Sequence, residues 1–582
     1  MTAEAATNAT VPDILAQLDG DFAPMAAAFG NAVFTLWVGS GISFGRAPDL
    51  GDIIRRALEF LRARAVDAGT QVVFDPAFRS AIVLSQTPVA LAEPHFATPL
   101  AEWPEDVSKP IVDGLWNRYS QLLNIPIAGE DEDYILWTAA DIRGAFENPP
   151  PPGCVHLSIG ILILEGVLRD IASANWDGFI EAAIAHLAGG LPGNLQVVVD
   201  PAHLRDIPGK ARLIKFHGCI VHATENQTLY RKFLVGSTTQ INAWPHHQLY
   251  AAIRNEVVSL ATNHRALMTG LSLQDGNLQA AFNIARQANP WPWPCVPQAH
   301  IFCEGEIGVG QRTMLQTVYA GSYNAAIAEI EGSALIVAWG EQVLLALVFK
   351  VLTDKFTALI AVAIEGQALA ADTDGLVALL TRLRDTIAAH ATGDRTAFLG
   401  QAIAVWSRLL GLFRTGKLPR GPGSYEVLTS GPVGGIGQDA NARAAGLGEL
   451  GIGLALLQRG VDEGLWSLSP PENDELVAGA VGALASWDGA NSRPIFFARS
   501  AAMVIALEKS GAFANDNAVV IHADAAWHEM QEANVVESPR TISRSPGRTG
   551  TIGTQHVSLA RMIAGEATAD ALSARFVREV SL

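Results

Sequence analysis

The sequence has little charge of either sign. Charged side chains occupy 17% of its 582 positions, whereas average soluble proteins carry roughly 25%. Basic residues are the scarcer class, 40 against 58 acidic residues, and the formal net charge at pH 7 is −18. A domain that binds bare nucleic acid needs a basic surface to neutralise phosphates. This balance therefore argues against direct nucleic-acid binding by the body of the chain.

Cysteine and long apolar runs are also scarce. The cysteines Cys154, Cys219, Cys295 and Cys303 form no CxxC pair, so we expect neither a disulfide framework nor a bound metal. The N-terminal segment lacks the basic start and apolar run of a signal peptide. The most apolar region, residues 333–366, is interrupted by charged side chains. These absences predict a cytoplasmic protein without a membrane span.

Apolar residues, in contrast, are abundant: they make up 49% of the chain, enough for a large core. In the first half, short apolar runs alternate with helical patterns, which is typical of α/β domains. Buried strands are predicted at residues 33–38, 170–175, 195–199, 212–216, 266–271 and 299–303. Between about residues 71 and 152 this pattern weakens and prolines accumulate, which indicates a mainly helical insertion.

The second half has a different pattern. It is rich in Ala and Leu at helical spacing, with two strand patterns at 494–498 and 518–522. We expect an α/β domain with a Rossmann-like parallel sheet over residues 1–308, and a mostly α-helical (α+β) domain over residues 309–582. A surface with few charges favours contact between copies, so a homo-oligomer is expected. The second domain would then serve oligomerisation, partner binding or sensing.

A glycine turn, Gly39-Ser40-Gly41-Ile42-Ser43, lies between the first predicted strand and a helix that begins near Asp49. Glycines at such a place let the backbone approach a ligand, and the N-terminus of the following helix offers free N–H groups to a phosphate. Many strand-to-helix turns carry two glycines only to relieve crowding. Taken alone, the turn fits a phosphate site or a tight turn.

Three further polar motifs follow later predicted strands. They are Asn175-x-Asp177, His217-Gly218, and Gly270-x-Ser272 with Asp275. Each also has a structural interpretation, since Asp and Asn are common helix caps and turn residues, and a histidine at a strand end is often structural. Histidine, however, also serves as a general base near neutral pH. Because open α/β sheets bind ligands at the carboxyl ends of their strands, we expect the four motifs to meet at one edge.

In this combination and order, the motifs resemble the sirtuin family in its bacterial, NAD-consuming branch. The family pattern is a Gly-Ala/Ser-Gly-Ile-Ser turn with a downstream Pro-Asp, then Asn-x-Asp, then His-Gly, then Gly-x-Ser with a following Asp. The Pro-Asp pair is Pro48-Asp49 here, and the likeness covers about residues 30–305. The resemblance implies a sirtuin-type, Rossmann-like fold that takes NAD as its substrate.

Two departures separate the chain from the protein deacylases of this family. It lacks their zinc module of two CxxC pairs, and the stretch between the glycine turn and Asn175 is long. Both features resemble the sirtuin-like effectors of antiphage defence, which destroy NAD. The resemblance therefore implies a triggered NAD hydrolase that stops phage growth, with a HerA-like ATPase or an Argonaute as its partner. Ala174 stands where the family has Thr or Gln.

The resemblance also implies a role for each motif in NAD cleavage. His217 is expected to accept a proton from a ribose hydroxyl or from water. Asn175 would orient the ribose hydroxyls or the attacking water, and Asp177 would hold the nicotinamide amide. The remaining cofactor-binding residues are Gly39, Ser40, Gly41, Ile42, Ser43, Asp49, Gly270, Ser272 and Asp275. The products would be nicotinamide and either ADP-ribose or a cyclised ADP-ribose.

Other functions fit the same residues. Glycines that cradle a phosphate do not by themselves imply turnover, so a sensor subunit that binds NAD or ADP-ribose within a larger defence complex is an alternative. A protein deacylase is a third interpretation, which the missing zinc module makes less favourable. The helical second half also fits an assembly subunit, and that role is compatible with an enzyme.

Overall fold

Seven parallel strands form one sheet in the computed structural model, which describes residues 2–190, 193–205, 209–417, 421, 423–469, 482–486, 492–509, 518–524 and 555–580. The strands are β1 (Phe34–Val38), β2 (Asp170–Ser173), β3 (Leu195–Val198), β4 (Ala211–Lys215), β5 (Arg265–Thr269), β6 (His300–Glu304) and β7 (Leu335–Val337). Their order is β3-β4-β2-β1-β5-β6-β7, and neighbouring strands are parallel. This confirms the predicted α/β architecture with a Rossmann-like parallel sheet.

Helices cover both faces of this sheet. In chain order they are α1 (Thr2–Asn8), α2 (Val11–Asp19), α3 (Ala23–Gly30), α4 (Leu50–Val66), α5 (Gln71–Leu84), α6 (Val89–Ala92), α7 (Glu105–Trp116), α8 (Tyr119–Leu122), α9 (Ile142–Ala145), α10 (Cys154–Leu164), α11 (Phe179–Leu187), α12 (Ile220–Glu225), α13 (Gln227–Tyr230), α14 (Thr238–Ala243), α15 (Ala251–Asn263), α16 (Gly276–Ala288), α17 (Val309–Tyr323) and α18 (Ile327–Ser333). Leu36 of β1 shares a core with α2, α3 and α10, whereas Trp37 shares the opposite core with α15 and α16. Burial on both faces explains why the strands read as continuous apolar runs.

The direction of chain travel reverses beside β1. The chain moves from β1 to β2 on one side, builds β3 and β4 there, and then crosses back to place β5 on the other side of β1. In open parallel sheets, the loops at the carboxyl ends diverge at such a reversal and leave a crevice for a ligand. The four sequence motifs follow β4, β2, β1 and β5, which are consecutive in this sheet.

The segment between β1 and β2 builds a helical layer with its own core. Leu58 of α4, Phe78 of α5 and Leu115 of α7 are fully buried in it. The same core includes Ile220 and Leu234, which belong to the segment that follows β4. The region interpreted as an insertion is therefore mainly helical, and it packs beside the loop that carries the predicted histidine.

The first sheet extends past residue 308, where the sequence pattern placed the end of the domain. β7 adds a seventh strand, paired with β6 through Cys303 and Ile336, and α17 and α18 lie between these two strands in the chain. A strand of three residues within a helical stretch has no recognisable period of its own. The sequence pattern consequently missed it.

The second half combines long helices with a second sheet. Its helices are α19 (Gly340–Ala363), α20 (Thr373–Ala388), α21 (Arg395–Thr415), α22 (Ala440–Ala444), α23 (Leu447–Asp462), α24 (Ala501–Lys509), α25 (Leu559–Gly565) and α26 (Ala569–Val580). Its strands are β8 (Trp466–Ser469), β9 (Gly482–Ser486), β10 (Ser492–Ala498), β11 (Val519–His522) and β12 (Gln555–Ser558), in the order β12-β11-β10-β9-β8. The two predicted strands correspond to β10 and β11. The other three are short and rich in small or polar residues, which hides them from a pattern of apolar runs.

One described helix, α21, is long and apolar enough to cross a membrane by length and composition. In this fold it packs into the core of the second half through Leu409, Leu410 and Phe413. The indole N–H of its Trp406 donates a hydrogen bond to the carbonyl oxygen of Glu426 at 2.8 Å. Its apolar face therefore has partners within the chain.

Candidate functional site

The loops after β1 and β5 pack directly on each other through glycines. The N–H of Gly39 donates to the carbonyl of Thr269 at 3.3 Å, and the N–H of Gly41 donates to that of Gly270 at 3.1 Å. A Cβ atom on Gly41 would lie only 2.6 Å from the Cα atom of Gly270. Gly270 itself has a φ of +60°, which glycine adopts without strain. The glycines are therefore needed for the contact between these two loops, and the N–H of Gly41 is already used within the protein.

A chain of hydrogen bonds joins the glycine turn to the Asn-x-Asp motif. Ser43 Oγ donates to Asp177 Oδ2 at 2.9 Å, and Nε2 of His156 lies 3.3 Å from the same serine oxygen. The other carboxylate oxygen of Asp177 accepts the N–H of Phe179 at 3.2 Å. The three side chains are buried, His156 completely. The structure thus brings Ser43 and Asp177 together and adds His156 from α10, which lies outside every sequence motif.

The protonation of His156 follows from its surroundings. The N–H of Gly153 donates to Nδ1 at 3.2 Å, so Nδ1 carries the lone pair. Burial holds the pKa of His156 below its ordinary value, although the nearby Asp177 carboxylate opposes that shift. The neutral ring therefore carries its proton on Nε2 and donates it to Ser43 Oγ. As a result, the Ser43 hydroxyl directs its own proton to Asp177.

Asn175 lies in the loop after β2 and is 6% exposed. Its backbone N–H donates to Ser173 Oγ at 3.1 Å, but neither Nδ2 nor Oδ1 of its side chain has a hydrogen-bond partner. Nε1 of Trp176 and Oε2 of Glu181, close by in sequence, are also buried without a partner. An unsatisfied buried group costs about 1–3 kcal/mol and is rare in native proteins. This loop therefore presents polar atoms that a ligand can pair with.

The loops that carry Asn175 and His217 run side by side. The N–H of Phe216 donates to the carbonyl of Ser173 at 3.1 Å, which continues the pairing of β2 with β4. Farther along, the N–H of Ile220 donates to the carbonyl of Trp176 at 2.9 Å. The loops that carry the predicted amide and imidazole are therefore adjacent at the same edge of the sheet.

His217 is 6% exposed, and its Nε2 lies 2.7 Å from Nδ2 of Asn277. The Asn277 oxygen accepts the N–H of Leu278 at 2.9 Å, which turns its NH₂ group toward the imidazole. His217 Nε2 is thus the acceptor, and the ring carries its proton on Nδ1. Burial lowers the pKa of His217 to about 4, so the ring is neutral at pH 7.

The bond between His217 and Asn277 spans the point of reversal in the sheet. His217 follows β4, and Asn277 begins α16, which follows β5. Two strands separate β4 from β5, a span of roughly 14 Å at about 4.8 Å per strand. The loops that hold Asn175 and Ser43 follow the two strands between them. Residues from all four predicted motifs, or directly beside them, therefore gather at the carboxyl edge.

A buried lysine, Lys215, joins the loops that follow β2 and β4. Nζ of Lys215 donates to the Asp177 carbonyl, to Glu181 Oε1 at 2.7 Å and to Cys219 Sγ at 3.3 Å. Burial alone would lower the pKa of this lysine, but Glu181, together with Cys219 and Asp177, raises it above its ordinary value. The charged ammonium group ties the backbone of the β2 loop to the end of β4.

Three predicted cofactor residues stand apart from this cluster. Asp49 is exposed and caps α4: its carboxylate accepts the N–H of Asp52 at 2.8 Å, and the N–H of Asp49 donates back to the Asp52 carboxylate at 3.3 Å. Ser40 is exposed, whereas the Ile42 side chain is buried in the core that Leu36 shares with α2, α3 and α10. The structure accounts for Asp49 as a helix cap and for Ile42 as a core residue.

The loop after β5 divides its predicted residues between surface and interior. Ser272 is exposed, and Asp275 is partly buried at the N-terminus of α16. Burial raises the pKa of Asp275, and the charge of Asp275 adds to the effect of burial in raising the pKa of Tyr119. Tyr119 belongs to the helical layer, so that layer reaches the site at this corner. Leu273 has a φ of +53°, which is strained backbone for a leucine.

Glu304 is a further residue of this edge that the motifs did not include. It ends β6, and its Oε1 accepts the N–H of Gly270 at 3.1 Å. Burial raises the pKa of Glu304 to about 7. One signal was present, because Glu304 directly follows a predicted strand that is adjacent to β5. His156 had no such signal, since it lies in the otherwise apolar stretch of residues 154–164, which follows the weakly patterned region.

Comparisons with known proteins assign no family to this arrangement: no family model matches the chain, and no curated protein matches it. Among the described residues, no three His, Cys, Asp or Glu side chains lie together as a set of metal ligands. The side chains gathered at the edge include two amides, the carboxyl groups of Asp177 and Glu304, a hydroxyl and two neutral imidazoles. Such groups pair with the hydroxyl and amide groups of a ligand.

Proposed function

We propose that this protein is an NAD glycohydrolase of sirtuin type, which releases nicotinamide and ADP-ribose. The observation that carries the proposal is the buried amide of Asn175, which has no partner and lies in a loop that also carries Asp177, the partner of Ser43, and that is paired with the loop of His217. NAD can supply the missing hydrogen-bond partners of this amide, because its ribose hydroxyls and its carboxamide both donate and accept hydrogen bonds. The reversal beside β1 is where open sheets bind dinucleotides.

In the proposed reaction, the protein positions NAD and the attacking water and accepts one proton. The bond between nicotinamide and the ribose carbon breaks, and its electron pair goes to the ring nitrogen of nicotinamide. Asn175 orients the attacking water, whose oxygen bonds to the ribose carbon, and His217 accepts the proton through Nε2. Asp177, held by Ser43 and Phe179, binds the nicotinamide amide.

The hydrogen bond between Asn277 and His217 must open before this reaction can occur. Nε2 of His217 accepts a hydrogen bond from Asn277, so the imidazole can take a proton only after that bond opens. A hydrolase whose base is occupied until a signal arrives fits a triggered effector that depletes NAD during phage infection. The homo-oligomer, and the HerA-like ATPase or Argonaute partner, belong to the same proposal as sources of that signal.

The test is nicotinamide release from NAD by the purified full chain. Asn175→Ala and His217→Ala should each lower the turnover number by about 10²- to 10⁴-fold, the usual worth of positioned acid–base help. Asn263→Ala and His246→Ala are matched controls, because both residues are exposed, and they should retain full activity. Equal activity in the wild type and in the double variant of Asn175 and His217 would refute the assignment.

A sensor of NAD or ADP-ribose is the second candidate. It is favoured by the same bond from Asn277 to His217, because a binding module has no need for a free base. Calorimetric titration separates the two candidates. Saturable binding of NAD, with no nicotinamide formed in any assembly state, would favour the sensor over the enzyme.

A further inference from the structure

Helix α10 is buried along its whole length. Of its eleven residues, only Val155 is partly exposed, and the side chains on every side are apolar apart from His156 and Ser158. A helix that is apolar all round belongs in the middle of a core. His156 lies in the first turn, where its Nδ1 accepts the N–H of Gly153 and its Nε2 meets Ser43.

We propose that His156 is a positioning residue for the NAD site, acting through Ser43 on the carboxylate of Asp177. The proposal rests on the proposed function. Because Nε2 carries the proton, Ser43 Oγ accepts from His156 and has a single proton left to donate. That proton goes to Asp177 Oδ2 at 2.9 Å. The imidazole therefore fixes the direction of the serine hydroxyl, and the hydroxyl fixes the carboxylate.

The opposite orientation of the serine would release the carboxylate. A hydroxyl that donated to the imidazole would turn its lone pairs toward Asp177 Oδ2, and two acceptors would then face each other. The bond from Gly153 to Nδ1 prevents this by keeping the lone pair of the ring away from Ser43. The carboxylate is then held at both oxygens, by Ser43 and by the N–H of Phe179.

The second half of the chain holds α10 at both ends. At its N-terminus, Thr396 Oγ1 of α21 accepts the N–H of Cys154 at 3.1 Å and a hydrogen bond from Arg46, also at 3.1 Å. At its C-terminus, Glu165 pairs with Lys355 of α19 at 2.7 Å. Contacts with the second half therefore fix both ends of the helix that carries His156.

A double-mutant cycle on the full chain tests this role. His156→Phe keeps the ring volume but removes the donor, and it should lower kcat/KM for NAD by roughly 10- to 100-fold, as loss of an orienting group does. His156→Gln keeps an N–H near Nε2 and should restore most of that loss. In a Ser43→Ala background, His156→Phe should have no further effect. His300→Phe is the matched control, a buried histidine at the start of β6, and should leave kcat/KM unchanged.

The outcomes separate the two proposals. If the wild type releases nicotinamide and His156→Phe matches it, or lowers kcat/KM equally with and without Ser43, the role of His156 is refuted and the enzyme stands. If the wild type releases no nicotinamide in any assembly state, the proposed function fails, and the role of His156 fails with it. Thermal melting of each variant identifies a change that only unfolds the protein, and His156→Gln then decides in place of His156→Phe.

Discussion

Two buried polar clusters in this protein differ in how completely they are satisfied. Glu165, at the end of α10, accepts hydrogen bonds from Lys355, Tyr425 and the backbone of Leu428 and Thr429. Lys355 also donates to the Glu165 and Thr429 carbonyls, at 2.7 and 2.6 Å. The cluster at the sheet edge instead leaves both polar atoms of Asn175 unpaired.

This difference separates a structural role from a binding role. A buried ion pair is tolerated when further hydrogen bonds satisfy both partners, and the pair of Glu165 with Lys355 meets that condition while it joins α10 to the second half. An unpaired buried amide only costs stability until a ligand pairs with it. We infer that the first cluster holds the fold together and that the second binds the substrate.

The largest change in stability is expected at the satisfied cluster. Lys355→Met leaves the Glu165 carboxylate buried without its cation and should lower the free energy of unfolding by about 3–5 kcal/mol. Arg382→Met, which removes one partner of an exposed pair with Asp462, should change it by less than about 1 kcal/mol. Denaturant unfolding measures both. A change of less than about 1 kcal/mol in the free energy of unfolding of Lys355→Met would contradict the structural role of this cluster.

The opposite result is expected at the unsatisfied cluster. Asn175→Leu replaces an unpaired amide with an apolar group of similar size, so the free energy of unfolding should stay the same or rise by up to about 1–3 kcal/mol. Nicotinamide release should fall by the amount expected for Asn175→Ala. A loss of stability in this variant would contradict the binding role of Asn175, because the amide would then have a partner within the folded protein.

His300 is a third buried polar group, which is unpaired like Asn175 but lies away from the carboxyl ends of the strands. Both of its ring nitrogens lack a partner, and Phe282, Trp291 and Tyr319 surround it. Burial lowers the pKa of His300 to about 3. Below pH 6.5, His300 is protonated in the unfolded chain but stays neutral in the native chain. The free energy of unfolding therefore keeps the full contribution of His300 above pH 6.5 and loses it progressively as the pH falls toward 3.

The contribution of His300 to this loss is about 1.4 kcal/mol for each pH unit below 6.5. His300→Phe should therefore flatten the fall in melting temperature between pH 6.5 and 4.5. Other histidines whose pKa values burial also lowers, among them His156, His217, His222 and His556, contribute to the remaining slope. An exposed histidine, His246, replaced in the same way provides the control. An unchanged slope in His300→Phe would contradict the assignment.

The smallest effect concerns Asp49. As the cap of α4, it should contribute about 1 kcal/mol to stability, so Asp49→Ala should lower the melting temperature slightly. Asp49→Asn should retain most of the cap. If Asp49 acts only on the helix, neither variant changes KM for NAD, whereas a higher KM in both would restore the residue to the cofactor site.

The pattern of apolar runs predicted the six longer strands of the first sheet, because strands buried on both faces leave a continuous apolar signal. It also predicted which strand ends carry Asn175, Asp177 and His217. It could not predict His156 or Asn277, because their positions depend on how α10 and α16 pack over the edge. The glycine turn was ambiguous, and the structure shows that Gly41 and Gly270 are needed for contact between two loops.

The role of Asn175 in binding NAD is tested most directly by calorimetric titration of NAD into the full chain carrying His217→Ala, which preserves the nucleotide during the measurement. We expect saturable binding that becomes at least about tenfold weaker, or 1.4 kcal/mol, when Asn175→Ala is added. Equal affinity in the two proteins, or no saturable binding in either, would show that the buried amide of Asn175 does not bind NAD.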